Sequence, residues 1–173
     1  MRELGSTDLK RLHRDWRRRT PGRLSVALDG VAGPFNVGAI LRTAAAYRVD
    51  PLWLAGGATG PENAKVGRTA LGSERFMAVE RRDTIDEVVD DAHARGFVVV
   101  GVELADEAIP LHELDLARDV CLVVGHEDHG LSKAGLQACD EVGFVPQLGR
   151  IGSLNVATAA SIAMYEWARQ QWA

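Results

Sequence analysis

Residues 123–132, "VVGHEDHGLS", place His126, Glu127, Asp128 and His129 directly after an apolar run. Side chains of these types serve metal ligation, hydrolysis, or hydrogen-bonded support of a ligand-binding turn. A metal site would draw on both histidines. Their spacing of three falls in a turn closed by Gly130, and no distant third ligand of suitable spacing follows, so no metal is expected. An acyl-enzyme hydrolase needs a serine between glycines at a sharp strand-to-helix turn, and position 127 is glutamate. What remains is Gly125 for close backbone approach, Glu127 as a polar contact and Gly130 for the turn into the next helix, with the histidines incidental.

Two other loops share this grammar. Residues 30–38 and 146–155 also follow apolar strands and are rich in glycine plus a few polar side chains. In open parallel sheets ligands collect where such loops leave the carboxyl ends of the strands. Neither a GxxxxGK[ST] loop nor a GxGxxG after the first strand is present, which disfavours a P-loop or conventional dinucleotide enzyme.

The elements that must position these loops can be read from periodicity. "RLSVALDG" alternates into a turn and predicts a strand. Val37, Ile40, Leu41 and Ala44 then recur on one face of a helix that opens after Gly33, Pro34 and Asn36. "PLWLAGG" predicts a second strand, residues 58–74 a long polar loop with room for one helical turn, and "RFMAVER" a third strand. Thr84 and Glu87 stand at capping-box spacing before a helix with Ile85, Val88, Val89 and Ala92 inward and Gly96 as its stop. "FVVVGVEL" and "VCLVVG" are nearly continuous apolar runs, and "EVGFVPQ" is a further short strand. Strands apolar on both faces and separated by helices imply one α/β domain, a parallel sheet of about six strands covered by helices on both faces. The last helix, from Leu154 onward, is apolar almost all round, which points to a homodimer interface, and Ser153 stands where it could cap it.

Composition bounds the function classes. With 46% hydrophobic residues in 173, the chain can bury one substantial core and is expected to be a single domain. Its longest apolar runs are about eight residues against the roughly 20 that cross a bilayer. The first residues, "MRELGSTDLK", carry no apolar stretch after their charges, so a cytoplasmic protein is expected. Cys121 and Cys139 have neither metal nor disulfide-scaffold spacing and read as reduced, buried thiols. Charge is uneven. Eight Lys or Arg against three acids give residues 1–23 a balance of +5, so the net −4 leaves −9 on the other 150 residues. A basic arm on an acidic body suits a polyanion, and a solvated helix face is the plainer alternative.

"FNVGAILRTAAAY", "LVVGHEDHGLS" and "VPQLGRIGSLNVATAASIAMYEW" together resemble the three signature motifs of the SPOUT superfamily, specifically the TrmH-like RNA 2′-O-ribose methyltransferases, and "KVGRTALGSE" resembles a loop of that group. The motifs stand in the same order and span residues 29–167, about four-fifths of the chain. The resemblance implies transfer of the methyl of S-adenosylmethionine to a ribose 2′-hydroxyl of tRNA or rRNA by a homodimer. It also implies a C-terminal trefoil knot that holds the cofactor. Periodicity alone shows no such knot.

Carried over residue by residue, the resemblance implies catalytic roles for Asn36, Arg42, Glu127, Ser153 and Asn155. Arg42 would act at the ribose and adjacent phosphate, and Glu127 would support the active-site loops. Cofactor contacts, largely main-chain, would fall on Val102, Glu103, Gly125, Val145, Ser153 and Leu154. Residues 1–23 would be a basic arm and 24–173 the SPOUT methyltransferase domain. In the arm, Leu9, Leu12 and Trp16 are spaced to dock while Arg11, Arg14, Arg17, Arg18 and Arg19 face RNA. The chain departs from many relatives, whose separate N-terminal RNA-binding domain is far longer than this arm. Two readings from other classes stand beside the enzyme: an RNA-binding protein that keeps the fold without turnover, and an unrelated α/β hydrolase.

Overall fold

A computed structural model describes residues 2–172, so the outermost residue of each expected region, 1 and 173, lies outside the described structure. Helix α1 (Ser6–Arg19) precedes β1 (Leu24–Asp29), α2 (Pro34–Ala46) and β2 (Leu52–Ala55). Then come α3 (Ala64–Ala70), a 3-10 turn (Ser73–Phe76), β3 (Val79–Arg81), α4 (Ile85–Ala94) and β4 (Val98–Val102). The chain closes with β5 (Ile109–Pro110), β6 (Val120–Gly125), α5 (Lys133–Ala138), β7 (Glu141–Phe144) and α6 (Val156–Gln171). The sheet has seven strands in the order β3-β2-β1-β6-β4-β7-β5, and every pairing is parallel. The single α/β domain is as expected, with one strand more than the expected six: β5 is a two-residue edge strand with too little sequence to carry a pattern.

The period of two along each central strand divides the core. Leu24, Val26 and Leu28 of β1, with Val120, Leu122 and Val124 of β6, pack against α2, α3 and α6. The intervening Ala27, Cys121 and Val123 pack against Ile85, Val88 and Val89 of α4 and against α5. Both faces are therefore buried, and each fully buried Leu or Val contributes roughly 1.5–3 kcal/mol of transfer free energy. The capping box of α4 forms as its spacing predicts: Glu87 N–H donates to Thr84 Oγ1 at 3.3 Å, and Thr84 N–H to Glu87 Oε2 at 3.3 Å. Gly96 follows at a φ of 81°, a left-handed turn that suits glycine.

Several local expectations are corrected. The polar segment 58–74 holds the seven-residue α3 rather than one turn, because Asn63 caps it by accepting from Lys65 N–H at 3.0 Å. The third strand begins only at Val79, since Arg75 and Phe76 are drawn into the 3-10 turn. Ser153 does not cap α6. Asn155 does, its Oδ1 accepting from Ala157 N–H at 3.0 Å and Thr158 N–H at 3.2 Å. That helix buries Ala157, Ala160, Ala163, Met164, Trp167 and Ala168 and leaves Ile162 and Tyr165 exposed. On α1, only Trp16 of the three expected docking residues reaches an aromatic partner on the body, with its ring centroid 4.7 Å from that of Trp172; Leu9 and Leu12 remain exposed. Cys121 is buried, Cys139 is half-buried, and both are free thiols. Among the described residues no helix is long and apolar enough to cross a membrane.

The crossing of α2 and α3 depends on Gly38. A Cβ there would lie 2.6 Å from Thr69 Cβ and 2.8 Å from the Val66 carbonyl oxygen. Alanine normally stabilises a helix interior over glycine by about 0.5–1 kcal/mol. At this crossing the sign should reverse, and Gly38→Ala should destabilise the protein by about 1–3 kcal/mol, as overpacking does. Urea denaturation would show it as a lower midpoint at unchanged slope, and a higher midpoint would refute the close crossing.

Candidate functional site

The sheet order reverses beside β1: the chain steps outward through β2 and β3, then returns on the far side to β4 and β6. Asp29 at the end of β1 is in register with Gly125 at the end of β6, so the loops leaving both strands emerge side by side. This is the crevice where parallel sheets bind ligands.

Glu127 ties these loops together. Its Oε1 accepts from Gly33 N–H at 2.7 Å and from Asn36 Nδ2 at 2.8 Å, and its Oε2 accepts from Ala32 N–H at 3.1 Å. The Asn36 amide passes the connection on, its Oδ1 accepting from Asn155 Nδ2 at 2.9 Å. Asn155 in turn caps α6. One carboxylate thus links the segment after β1, the segment after β6 and the start of the last helix. Partial burial opposes its ionisation, but the hydrogen bonds from Asn36, Ala32 and Gly33 outweigh that and hold the carboxyl below its ordinary range. Gly33 is required for this approach, because a Cβ there would come within 2.5 Å of Glu127 Oε1.

The turn itself is pinched. His126 N–H donates to the Gly130 carbonyl at 2.9 Å and Gly130 N–H returns a bond to the His126 carbonyl at 2.8 Å. A Cβ on Gly125 would collide with the backbone of Gly130 and Leu131. Glu103 holds the turn from the other side, its Oε2 accepting from Leu131 N–H at 2.9 Å, and Asp29 Oδ2 accepts from Ser132 N–H at 2.9 Å. The rings of His126 and His129 stack with centroids 4.8 Å apart. Among the described residues no three His, Cys, Asp or Glu side chains converge as metal ligands would.

A cavity of about 330 Å³ lies against this turn. All six positions expected to contact a cofactor, Val102, Glu103, Gly125, Val145, Ser153 and Leu154, line it. Of the five residues expected to be catalytic, Asn36, Glu127 and Asn155 form one hydrogen-bonded chain, and Ser153 stands on the cavity wall. Arg42 is separate from that chain. It projects exposed from α2 and makes no side-chain hydrogen bond or ion pair among the described residues. Glu127 therefore supports Asn36 directly and not Arg42. The arginines of α1 are exposed and away from the cavity.

Two residues of the site escape sequence reasoning. Asp29 reads as the polar end of a strand, yet it is 5% exposed and anchors the Ser132 backbone. Gln147 lines the cavity, and its Oε1 is buried without a hydrogen-bond partner among the described residues. The one available signal for Gln147 is its place in a loop after a strand.

Residues 23–165 match the family described as SpoU rRNA Methylase. An uncharacterized tRNA/rRNA methyltransferase of Synechocystis sp. is 33% identical over 159 residues, 91% of this chain and 58% of that protein. The tRNA (guanosine(18)-2′-O)-methyltransferase of Escherichia coli is 31% identical over 157 residues, 89% of this chain and 66% of that protein. The chain thus spans somewhat under two thirds of these relatives. The SpoU methyltransferase AviRb from Streptomyces viridochromogenes superposes with a TM-score of 0.80 at 31% identity, covering 98% of this chain and 65% of that one. Its complex with the cofactor AdoMet gives 0.79 at 32% identity, covering 88% and 60%.

The Glu127 contacts make a signed prediction. A carboxyl depressed in the folded state contributes stability that is complete above the unfolded Glu value of about 4.3 and is lost as pH falls through the folded value. Glu127→Gln leaves one N–H donor facing an amide NH2 and should cost about 1–3 kcal/mol at neutral pH. Denaturation between neutral pH and acid should show the gap between wild type and variant closing as the pH drops, and a gap independent of pH would refute the ionised acceptor.

Proposed function

The chain belongs to the SpoU rRNA Methylase family, and on that premise we propose that it transfers the methyl group of S-adenosylmethionine to a ribose 2′-hydroxyl of tRNA or rRNA. The observation that carries this reading is the hydrogen-bonded chain Glu127–Asn36–Asn155 beside the cavity lined by Val102, Gly125 and Val145. The residues fit the cofactor. Strand ends and glycine turns offer main-chain groups at close range, and the unpartnered Gln147 Oε1 offers an acceptor for an N–H donor of the ligand. When bound, the cofactor supplies an already activated methyl sulfonium.

The protein's own groups then have to orient a weak nucleophile and stabilise the charge that develops on it. Glu127, Asn36 and Asn155 hold the loops at fixed separation, and Ser153 stands on the cavity wall to contact cofactor or ribose. Arg42 is assigned to the phosphate and the developing alkoxide. A guanidinium stays protonated, so electrostatic stabilisation fits it better than proton abstraction. Its exposure, and the absence of a side-chain partner among the described residues, leave it free for that work.

Several finer features belong to the same proposal. The C-terminal trefoil knot is supported by the way residues 102–104, 124–130, 144–145 and 152–154 wall one cavity, as a threaded C-terminal segment would leave them. A homodimer is supported by the exposed Ile162 and Tyr165 on α6, apolar surface that a second copy would cover. The division into a basic arm, 1–23, and a methyltransferase domain, 24–173, is supported by the family match beginning at residue 23. Arg11, Arg14, Arg17, Arg18 and Arg19 on α1 supply the cations for an RNA substrate. A cytoplasmic location accords with such substrates.

The deciding experiment is incubation with labelled S-adenosylmethionine and bulk tRNA or rRNA, followed by nucleoside analysis. The expected product is a 2′-O-methylnucleoside; cofactor binding with no such product from either pool would instead favour an RNA-binding protein without turnover. Arg42→Ala should lower transfer by about 100-fold or more, as loss of a transition-state charge contact does, with the melting temperature unchanged. A variant that unfolds would make Arg42 structural. Gln147→Leu should leave the ligand-free protein as stable or more so, by up to about 1 kcal/mol, and weaken cofactor binding roughly tenfold. Calorimetric titration showing unchanged affinity would remove Gln147 from the site.

A further inference from the structure

A second cavity, of about 560 Å³, lies where the last turns of α1 meet the body. Leu24, the first residue of β1, lines it, so it opens at the end of the sheet opposite to the Glu127 site. Six strand residues separate the two ends, roughly 17 Å at about 3.3 Å per residue.

Its walls combine aromatic rings with unengaged cations. Trp16 and Trp172 touch at a centroid distance of 4.7 Å, and Trp172 is locked there, its Nε1 donating to Thr20 Oγ1 at 2.8 Å. Tyr47 adds a third aromatic side chain. His13, Arg17 and Arg48 line the same space, and among the described residues none of their side chains forms an ion pair. Asp50 also lines it, with its Oδ1 already accepting from Ala78 N–H at 2.9 Å. Arg48, which lines the cavity, has a φ of 59°, a left-handed backbone conformation uncommon outside glycine.

We propose that this cavity takes one unstacked nucleotide of the RNA substrate, the base against Trp16 and Trp172 and the phosphate on Arg17 and Arg48. The proposal rests on the RNA-methyltransferase reading above and adds to it an anchor remote from the reacting ribose. A nucleotide fits both halves of the wall: every base offers a π-face to an aromatic ring, here in exchange for the Arg19 guanidinium that lies 5.1 Å over Trp16, and the phosphate matches cations that form no ion pair among the described residues. An acidic peptide would use the cations alone.

The test uses the full chain with S-adenosylmethionine at saturation, so that the cofactor cavity is closed to the probe. Uridine 5′-monophosphate should quench tryptophan fluorescence saturably, because a mononucleotide occupies a pocket but not a diffuse field. Arg17→Ala combined with Arg48→Asn, where asparagine tolerates the left-handed backbone, should weaken this binding roughly tenfold. Lys10→Ala with Lys133→Ala removes the same charge away from the cavity and should leave it unchanged. Trp16→Leu keeps every cation and should also weaken the probe. Absence of saturable quenching in the wild type, or equal loss in the two double variants, would overturn the proposal. So would a change in oligomeric mass on Trp16→Leu with no effect on nucleotide binding, which would assign the cavity to a second copy of the chain. Methyl transfer measured on the same preparations separates the two readings. Nucleotide binding without methylated product sinks the enzyme and keeps the pocket, whereas methylation without nucleotide binding sinks the pocket alone.

Discussion

The carboxylate of Glu127 is the point on which the site depends. It accepts three N–H donors that belong to the segment after β1, and it does so from the segment after β6. Two loops from adjacent parallel strands have no backbone ladder to hold them once the strands end. A shared, charged acceptor supplies that connection, and charge-assisted hydrogen bonds are stronger than neutral ones. Asn36 then carries the connection to Asn155, so that the first turn of α6 is set by the same group. Removing the carboxylate would leave three donors without their acceptor and Asn36, which holds the first turn of α6, without its anchor.

The sheet beneath explains why those loops can meet at all. Parallel pairing brings every strand's carboxyl end to one edge, and the reversal of strand order beside β1 opens a crevice there. Close contacts complete it. Gly33 admits the Glu127 carboxylate, Gly125 admits the returning turn at Gly130, and Gly38 lets α3 press against α2. Each glycine stands where a neighbour occupies the position of a side chain. The resulting site holds its polar groups in place before any ligand arrives, which is the condition for electrostatic stabilisation without reorganisation.

The arm presents a different balance. Its helix buries no residue, and it reaches the body chiefly through Trp16, Thr20 and Trp172. Its cationic character was plain in the chain, but the direction of each side chain was not. Arg17 faces the cavity under the helix, and Leu9 and Leu12 stay exposed. A helical repeat says which residues share a face, whereas the surface that face meets depends on where the rest of the chain has folded.

Residue order by itself determined most of the elements and the core. Alternation in "RLSVALDG", the continuous apolar run "VCLVVG", the 3.6-residue pattern of Val37, Ile40, Leu41 and Ala44, and the Thr84–Glu87 cap are local signals, and local sterics and hydrogen bonding suffice to realise them. The motifs also marked Asn36, Glu127 and Asn155 individually. Only the tertiary structure decided that these three form one chain, that Arg42 stands apart from it, and that Asn155 rather than Ser153 caps α6. Asp29 and Gln147 became visible only there as well. The reason is distance along the chain: Asn36 and Asn155 lie 119 positions apart, and no local pattern records a contact made only when the sheet has aligned its strand ends.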